Sequence, residues 1–108
     1  MKNKFFETRF ADGNGQEVIQ VHPYQEALWA KAFGVEDLAD LFDLATPSVA
    51  IPKIDEAINR FNHDPETLRP LLDPSDSLKL RGNRMVLEQM RATLADHPDA
   101  SISGLIDQ

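Results

Sequence analysis

Residues 46–65 read TPSVAIPKIDEAINRFNHDP, and this stretch decides the fold class. Thr46-Pro47 heads it and Asp64-Pro65 ends it. Thr and Asp are good N-caps, and proline suits the first helical turn because its missing N–H has no partner to lose there, so both dipeptides mark helix starts. Between them Ala50, Ile51, Ile54, Ala57, Ile58 and Phe61 recur at helical spacing, while Lys53, Asp55, Glu56, Asn59 and Arg60 share the other face. The spacing predicts an amphipathic helix entered around residues 48–52, followed by a connector at Asn62-His63-Asp64.

The same punctuation extends in both directions. Upstream, Pro23 opens a run in which Tyr24, Ala27 and Leu28 form a stripe flanked by Trp29, Ala32 and Phe33, with Gly34 as its stop. Val35, Leu38, Leu41, Phe42 and Ala45 then fall at helical spacing and predict a second helix, whose remaining face carries Glu36, Asp37, Asp40 and Asp43. Downstream, Asp64 caps a short helix over residues 65–72 that Pro70 must break or kink. Asp73-Pro74 opens another, with Leu78 and Leu80 inward and Gly82 ending it. The longest helix is expected over residues 84–96, with Val86, Leu87, Met90, Leu94 and Ala95 on its apolar side. His97-Pro98 stops it, and residues 101–106 add a last turn bearing Ile102, Leu105 and Ile106.

Residues 4–22 carry a different period. Phe6, Thr8 and Phe10 alternate with Phe5, Glu7 and Arg9, and Ile19 and Val21 alternate with Val18, Gln20 and His22, which predicts a β-hairpin. Asp12-Gly13-Asn14-Gly15 offers two tight turns. Centring the turn on Asn14-Gly15 sets Phe10 opposite Ile19 and Thr8 opposite Val21; centring it on Asp12-Gly13 sets Thr8 against Glu17. The first register separates an apolar from a polar face and is the one expected. A two-stranded ribbon is marginal in water, so it must pack on the helices or pair with another chain. The fold expected is therefore α+β and predominantly helical: an N-terminal hairpin and about five to seven short helices in one compact domain.

Composition fits an ordinary globular chain: 108 residues, 42% hydrophobic and 27% charged, enough for one core. All eight aromatic residues lie within the first 61, which divides the domain into the hairpin (4–22), aromatic-rich helices (23–61) and an aliphatic helical portion (62–108). Cysteine is absent, which excludes disulfides, thiolate metal sites and a cysteine nucleophile and suits a reducing compartment. The opening Met1-Lys2-Asn3-Lys4-Phe5-Phe6 has no apolar run behind its lysines, and no stretch approaches the ~20 apolar residues that span a bilayer. A soluble cytoplasmic protein without membrane association is expected.

Motifs for specific chemistry are missing. An EF-hand frame through the Asp12–Gly15 segment puts Glu17 at the glycine position, or Phe10 and Val21 at ligand positions, so calcium cannot be held. His22, His63 and His97 sit at helix boundaries with no i, i+4 pair to aim two imidazoles at one ion. Ser48, Ser75, Ser77, Ser101 and Ser103 occupy turn or cap contexts without a nucleophile elbow, and no glycine-rich phosphate loop exists. Neither an enzyme, a cofactor nor a metal is expected.

Charge speaks to partners. The formal net charge is −7, which repels nucleic acid at long range, yet residues 79–91 carry Lys79, Arg81, Arg84 and Arg91 against Glu88 alone. Residues 74–96 also have the order of a helix-turn-helix, with the turn at Gly82 and Arg84 opening the second helix. Glu36, Asp37, Asp40 and Asp43 make the cleaner signal, a face to steer a protein with a basic surface, as an acidic inhibitor does. Phe5, with Tyr24 or Trp29, would add an aromatic anchor on the hairpin's polar face. The expected function is a small non-catalytic protein that binds another protein and regulates, inhibits or assembles it. Nucleic acid binding through the basic corner is the alternative, an enzyme or metal protein the third, and the hairpin edge leaves homodimerisation open.

Overall fold

The computed structural model describes residues 4–10 and 16–107, among which lie four α-helices, three short 3-10 turns and three strands. The α+β architecture is as expected, with fewer helices than five to seven and a three-stranded antiparallel sheet in place of a hairpin. Strands β1 (Lys4–Arg9), β2 (Gln16–Val21) and β3 (Ser101–Asp107) take the order β2-β1-β3. The helices are α1 (Glu26–Phe33), α2 (Pro47–His63), α3 (Pro65–Leu68) and α4 (Lys79–Asp96). None of them is long and apolar enough to cross a membrane.

Helix α2 follows its pattern: Pro47, Ala50, Ile54, Ala57 and Phe61 are buried at alternating spacings of three and four. Thr46 and Asp64 occupy the N-cap positions of α2 and α3, but neither side chain bonds a helix N–H; the prolines behind them carry the starts. Helix α1 begins after a 3-10 turn at Pro23–Gln25 and stops at Gly34, whose φ of 73° is the left-handed C-cap that glycine adopts without strain. Arg60 of α2 reaches across to donate to the Ala32 carbonyl at 2.6 Å, placing a cation at the C-terminal end of α1. Pro70 acts as expected, and α3 passes into a 3-10 turn at Arg69–Leu71.

The acidic segment is not a helix. Only a 3-10 turn forms, at Leu38–Asp40, with the Asp37 carboxylate accepting from the Ala39 N–H at 2.9 Å. Glu36, Asp37, Asp40 and Asp43 repel one another at the i, i+3 and i, i+4 spacings a helix would impose. Distant partners also claim the backbone: Lys53 donates to the Leu41 carbonyl, and Ala45 exchanges N–H···O bonds of 2.8 and 2.9 Å with Ile102 of β3. The inward residues were nevertheless legible, since Leu38, Leu41 and Phe42 are buried.

Residues 73–78 also form no helix. The Asp73 carboxylate takes the Ser75 N–H at 2.7 Å and the Asp76 carboxylate takes the Leu78 N–H at 2.9 Å, local turns that compete with helical pairing. Leu78, expected inward, is exposed. Gly82, expected to end a helix, lies inside α4, where its N–H bonds the Leu78 carbonyl at 2.8 Å. A Cβ on Gly82 would sit 2.8 Å from that of Leu78, so the glycine serves close packing and no helix-turn-helix forms around it. The longest helix therefore starts at Lys79 instead of residue 84.

The last expected helical turn is strand β3, which pairs antiparallel with β1. Ile102 is buried beside Thr8, and a bulge between Phe5 and Glu7 leaves an extra residue on β3. Strand β1 pairs with β2 in the register Thr8↔Glu17, Phe6↔Ile19 and Lys4↔Val21, which is that of the Asp12-Gly13 alternative and overturns the expected Phe10–Ile19 pairing. The turn itself lies outside the described residues. The physical reason is reach: centring on Asn14-Gly15 would set Phe6 against Pro23, which lacks an N–H, whereas the observed register partners all of β1 and frees residues 22–25 to start α1.

The sheet's inner face packs on α1 and the acidic segment. The Phe6 ring stacks on Trp29 with centroids 6.0 Å apart and meets Phe42 edge-on at 5.5 Å, and Phe33 meets Phe42 at 85°. Leu68, Leu87, Met90 and Leu94 continue the core with aliphatic side chains, alongside Leu28 and Ile54.

Candidate functional site

Two surfaces collect chemistry-bearing residues. The first is the acidic segment, where Glu36, Asp37, Asp40 and Asp43 are all exposed and, among the described residues, form no ion pair. It ends in Leu44, a residue sequence reasoning passed over. Leu44 is 63% exposed and its φ is 50°, in the left-handed region that costs a β-carbon residue about 1–2 kcal/mol. Its N–H bonds Ser103 Oγ at 3.2 Å, and the Ala45–Ile102 bridge fixes the next residue, so the sheet holds the chain in this shape. Val49, five residues on and near the start of α2, is 50% exposed.

The second surface is a recess of about 430 Å³ between the C-terminal end of α2, α3 and the first turns of α4. Lys79, Arg81 and Arg84 line it, joined by Arg69, a cation that sequence reading did not place there. Phe61, Leu72 and Leu80 form apolar walls. Arg69 pairs with Glu66 at 3.0 Å and Arg84 with Glu88 at 3.1 Å, while Arg84 also donates to Asn62 Oδ1 at 2.9 Å. Arg91 is elsewhere, bound to Asp55 on α2, so the four cations expected at one corner are divided.

A buried polar network meets the recess at the backbone of Lys79. Asn83 Oδ1 accepts from the Trp29 indole N–H and from Gln25 Nε2, both at 2.8 Å, and Asn83 Nδ2 donates to Asp76 Oδ2 at 2.9 Å and to the Lys79 carbonyl at 2.6 Å. Trp29 is therefore fully buried and is no exposed anchor. Phe5 is half-buried, and Tyr24, at the exposed margin, stacks on His22 at 5.0 Å.

The histidines are dispersed. His97 stacks on Phe10 at 4.2 Å with Nδ1 3.0 Å from the Thr93 carbonyl, and His63 ends α2. Among the described residues no three His, Cys, Asp or Glu side chains gather as a metal site would require. Strand β1 is covered on both sides, so the sheet's edges are β2, where Val18 and Gln20 are exposed, and β3, which is bridged at Ile102 to Ala45. Compared with known protein families, curated proteins and solved structures, the chain matches none.

Proposed function

We propose that the protein is a non-catalytic binding module whose acidic segment docks a protein with a basic surface and an apolar pocket. Leu44 carries this reading. A leucine is a poor choice for left-handed backbone, and its side chain gains nothing from a fold that leaves it 63% exposed, so its use is best explained by a contact outside the chain. The carboxylates of Glu36, Asp37, Asp40 and Asp43 run up to it along the chain and supply steering. Leu44 is the anchor and the acids are its rim.

The test is comparative capture of proteins from a lysate by the wild type, by Leu44→Asn and by the Glu36→Gln, Asp40→Asn, Asp43→Asn triple variant. Asn tolerates the left-handed region, so Leu44→Asn removes the anchor without unfolding its support. A basic protein held by the wild type and lost from both variants supports the reading. Identical captured sets for all three overturn it.

A further inference from the structure

The recess on the opposite chemistry carries an inference of its own. It is a concave site of about 430 Å³, within the size range of small-molecule pockets, and cations line it in a protein whose net charge is −7. Concentrating positive charge against the overall sign focuses an attractive field on one place. Of the four cations, Arg69 and Arg84 are each paired with one glutamate, Glu66 and Glu88, and the buried Asp76 carboxylate is held by the Asn83 amide, which leaves Lys79 and Arg81 as the unpaired cations of the lining. Neither of those two forms an ion pair among the described residues.

Two further features point the same way. Lys79 has a φ of 59°, the only other non-glycine residue besides Leu44 with positive φ among the described residues, and the Asn83 side chain holds its carbonyl at 2.6 Å. The buried network thus holds a lysine that lines the recess in an unfavourable backbone conformation. Arg84, which lines the recess, is held in place by Glu88 at 3.1 Å and by Asn62 Oδ1 at 2.9 Å.

We infer that this recess binds a small organic phosphate: a phosphate monoester held by Lys79 and Arg81, with its apolar body against Phe61, Leu72 and Leu80. An ammonium and a guanidinium without carboxylate partners suit a monoester, which carries about −1.5 to −2 near neutral pH. The apolar walls distinguish it from a site for bare inorganic anion. A nucleic acid backbone would need a longer cationic track, and Arg91, the residue that would extend one, is tied to Asp55.

Titration calorimetry of the full chain with phenyl phosphate, inorganic phosphate and a single-stranded oligothymidylate tests this. Phenyl phosphate is expected to bind saturably and at least about tenfold tighter than inorganic phosphate, and Lys79→Ala and Arg81→Ala are each expected to weaken it about tenfold. Lys79→Gly, which relieves the backbone and removes the ammonium, is expected to lose binding with the urea midpoint retained or raised. Absence of saturable binding, equal affinity for inorganic phosphate, affinity unchanged in the Lys79 and Arg81 variants, or tight binding of the oligonucleotide alone would each overturn the proposal.

Discussion

The Asn83 side-chain oxygen accepts the indole N–H of Trp29 at 2.8 Å, a bond that ties α4 to α1 across 54 residues of sequence. Its orientation is dictated by its neighbours, because Oδ1 faces two donors and Nδ2 faces two acceptors. Every hydrogen-bonding site of the amide that can be used inside the core is used.

Removing that amide leaves more than one group stranded. Asn83→Ala would deprive the Trp29 indole and Gln25 of their acceptor and Asp76 Oδ2 of its donor, all in buried positions. Each buried unsatisfied group costs about 1–3 kcal/mol, so a loss of at least ~3 kcal/mol is expected. Urea denaturation measures it. A loss below about 1 kcal/mol would mean that water or rotation rescues the partners.

Leu44 gives the opposite sign. Replacing it with Asn keeps the exposed position and removes the left-handed penalty, so stability is expected to rise by about 1 kcal/mol and Tm by roughly 4 °C. Differential scanning calorimetry reads the shift. An unchanged or lowered Tm would show that Leu44 is held by contacts within the fold, and the case for an external one would fall with it.

The parts of the fold legible in the sequence are those governed by local chemistry. Thr46-Pro47, Gly34, Pro70 and the spacing from Pro47 to Phe61 act within a few residues, and the structure follows them. The misread elements answer to partners far along the chain. Residues 35–45 have helical spacing yet surrender their backbone to Lys53 and β3, and residues 101–106 look like a helical turn until Ile102 pairs beside Thr8. The same division holds for the surfaces. Composition pointed to Glu36, Asp37, Asp40 and Asp43 and to three lining cations, whereas Arg69 enters the recess only because α3 folds beside the start of α4. Trp29 looked like an anchor because nothing near it in sequence reveals its partner Asn83.

Gly104 is a position where a single methyl group should matter. A Cβ built there would lie 2.1 Å from Cδ1 of Phe6, whose ring packs between Trp29 and Phe42 and has nowhere to retreat. Gly104→Ala is expected to cost about 1–3 kcal/mol through overpacking. Combined with Phe6→Leu it should cost less than the sum of the two single changes, because the smaller side chain removes the clash. Additivity in chemical denaturation would show that β3 moves away from Phe6 instead.

Strand register gives the sharpest test of the sheet. Glu7 lies opposite Val18 in the structure, whereas a turn centred on Asn14-Gly15 would bring it opposite His22. Directly opposed residues on antiparallel strands have Cβ atoms about 4.5–5.5 Å apart, near enough to be bridged with small adjustments, while a four-residue offset puts them far beyond disulfide reach. The chain has no cysteine of its own, so paired substitutions report without interference. Glu7→Cys with Val18→Cys is expected to oxidise to an intramolecular disulfide, and Glu7→Cys with His22→Cys to remain reduced under the same mild oxidant. Mass spectrometry after thiol alkylation separates the two. The reverse pattern would restore the Phe10–Ile19 register, set Phe6 against Pro23, and require the start of α1 to be rebuilt.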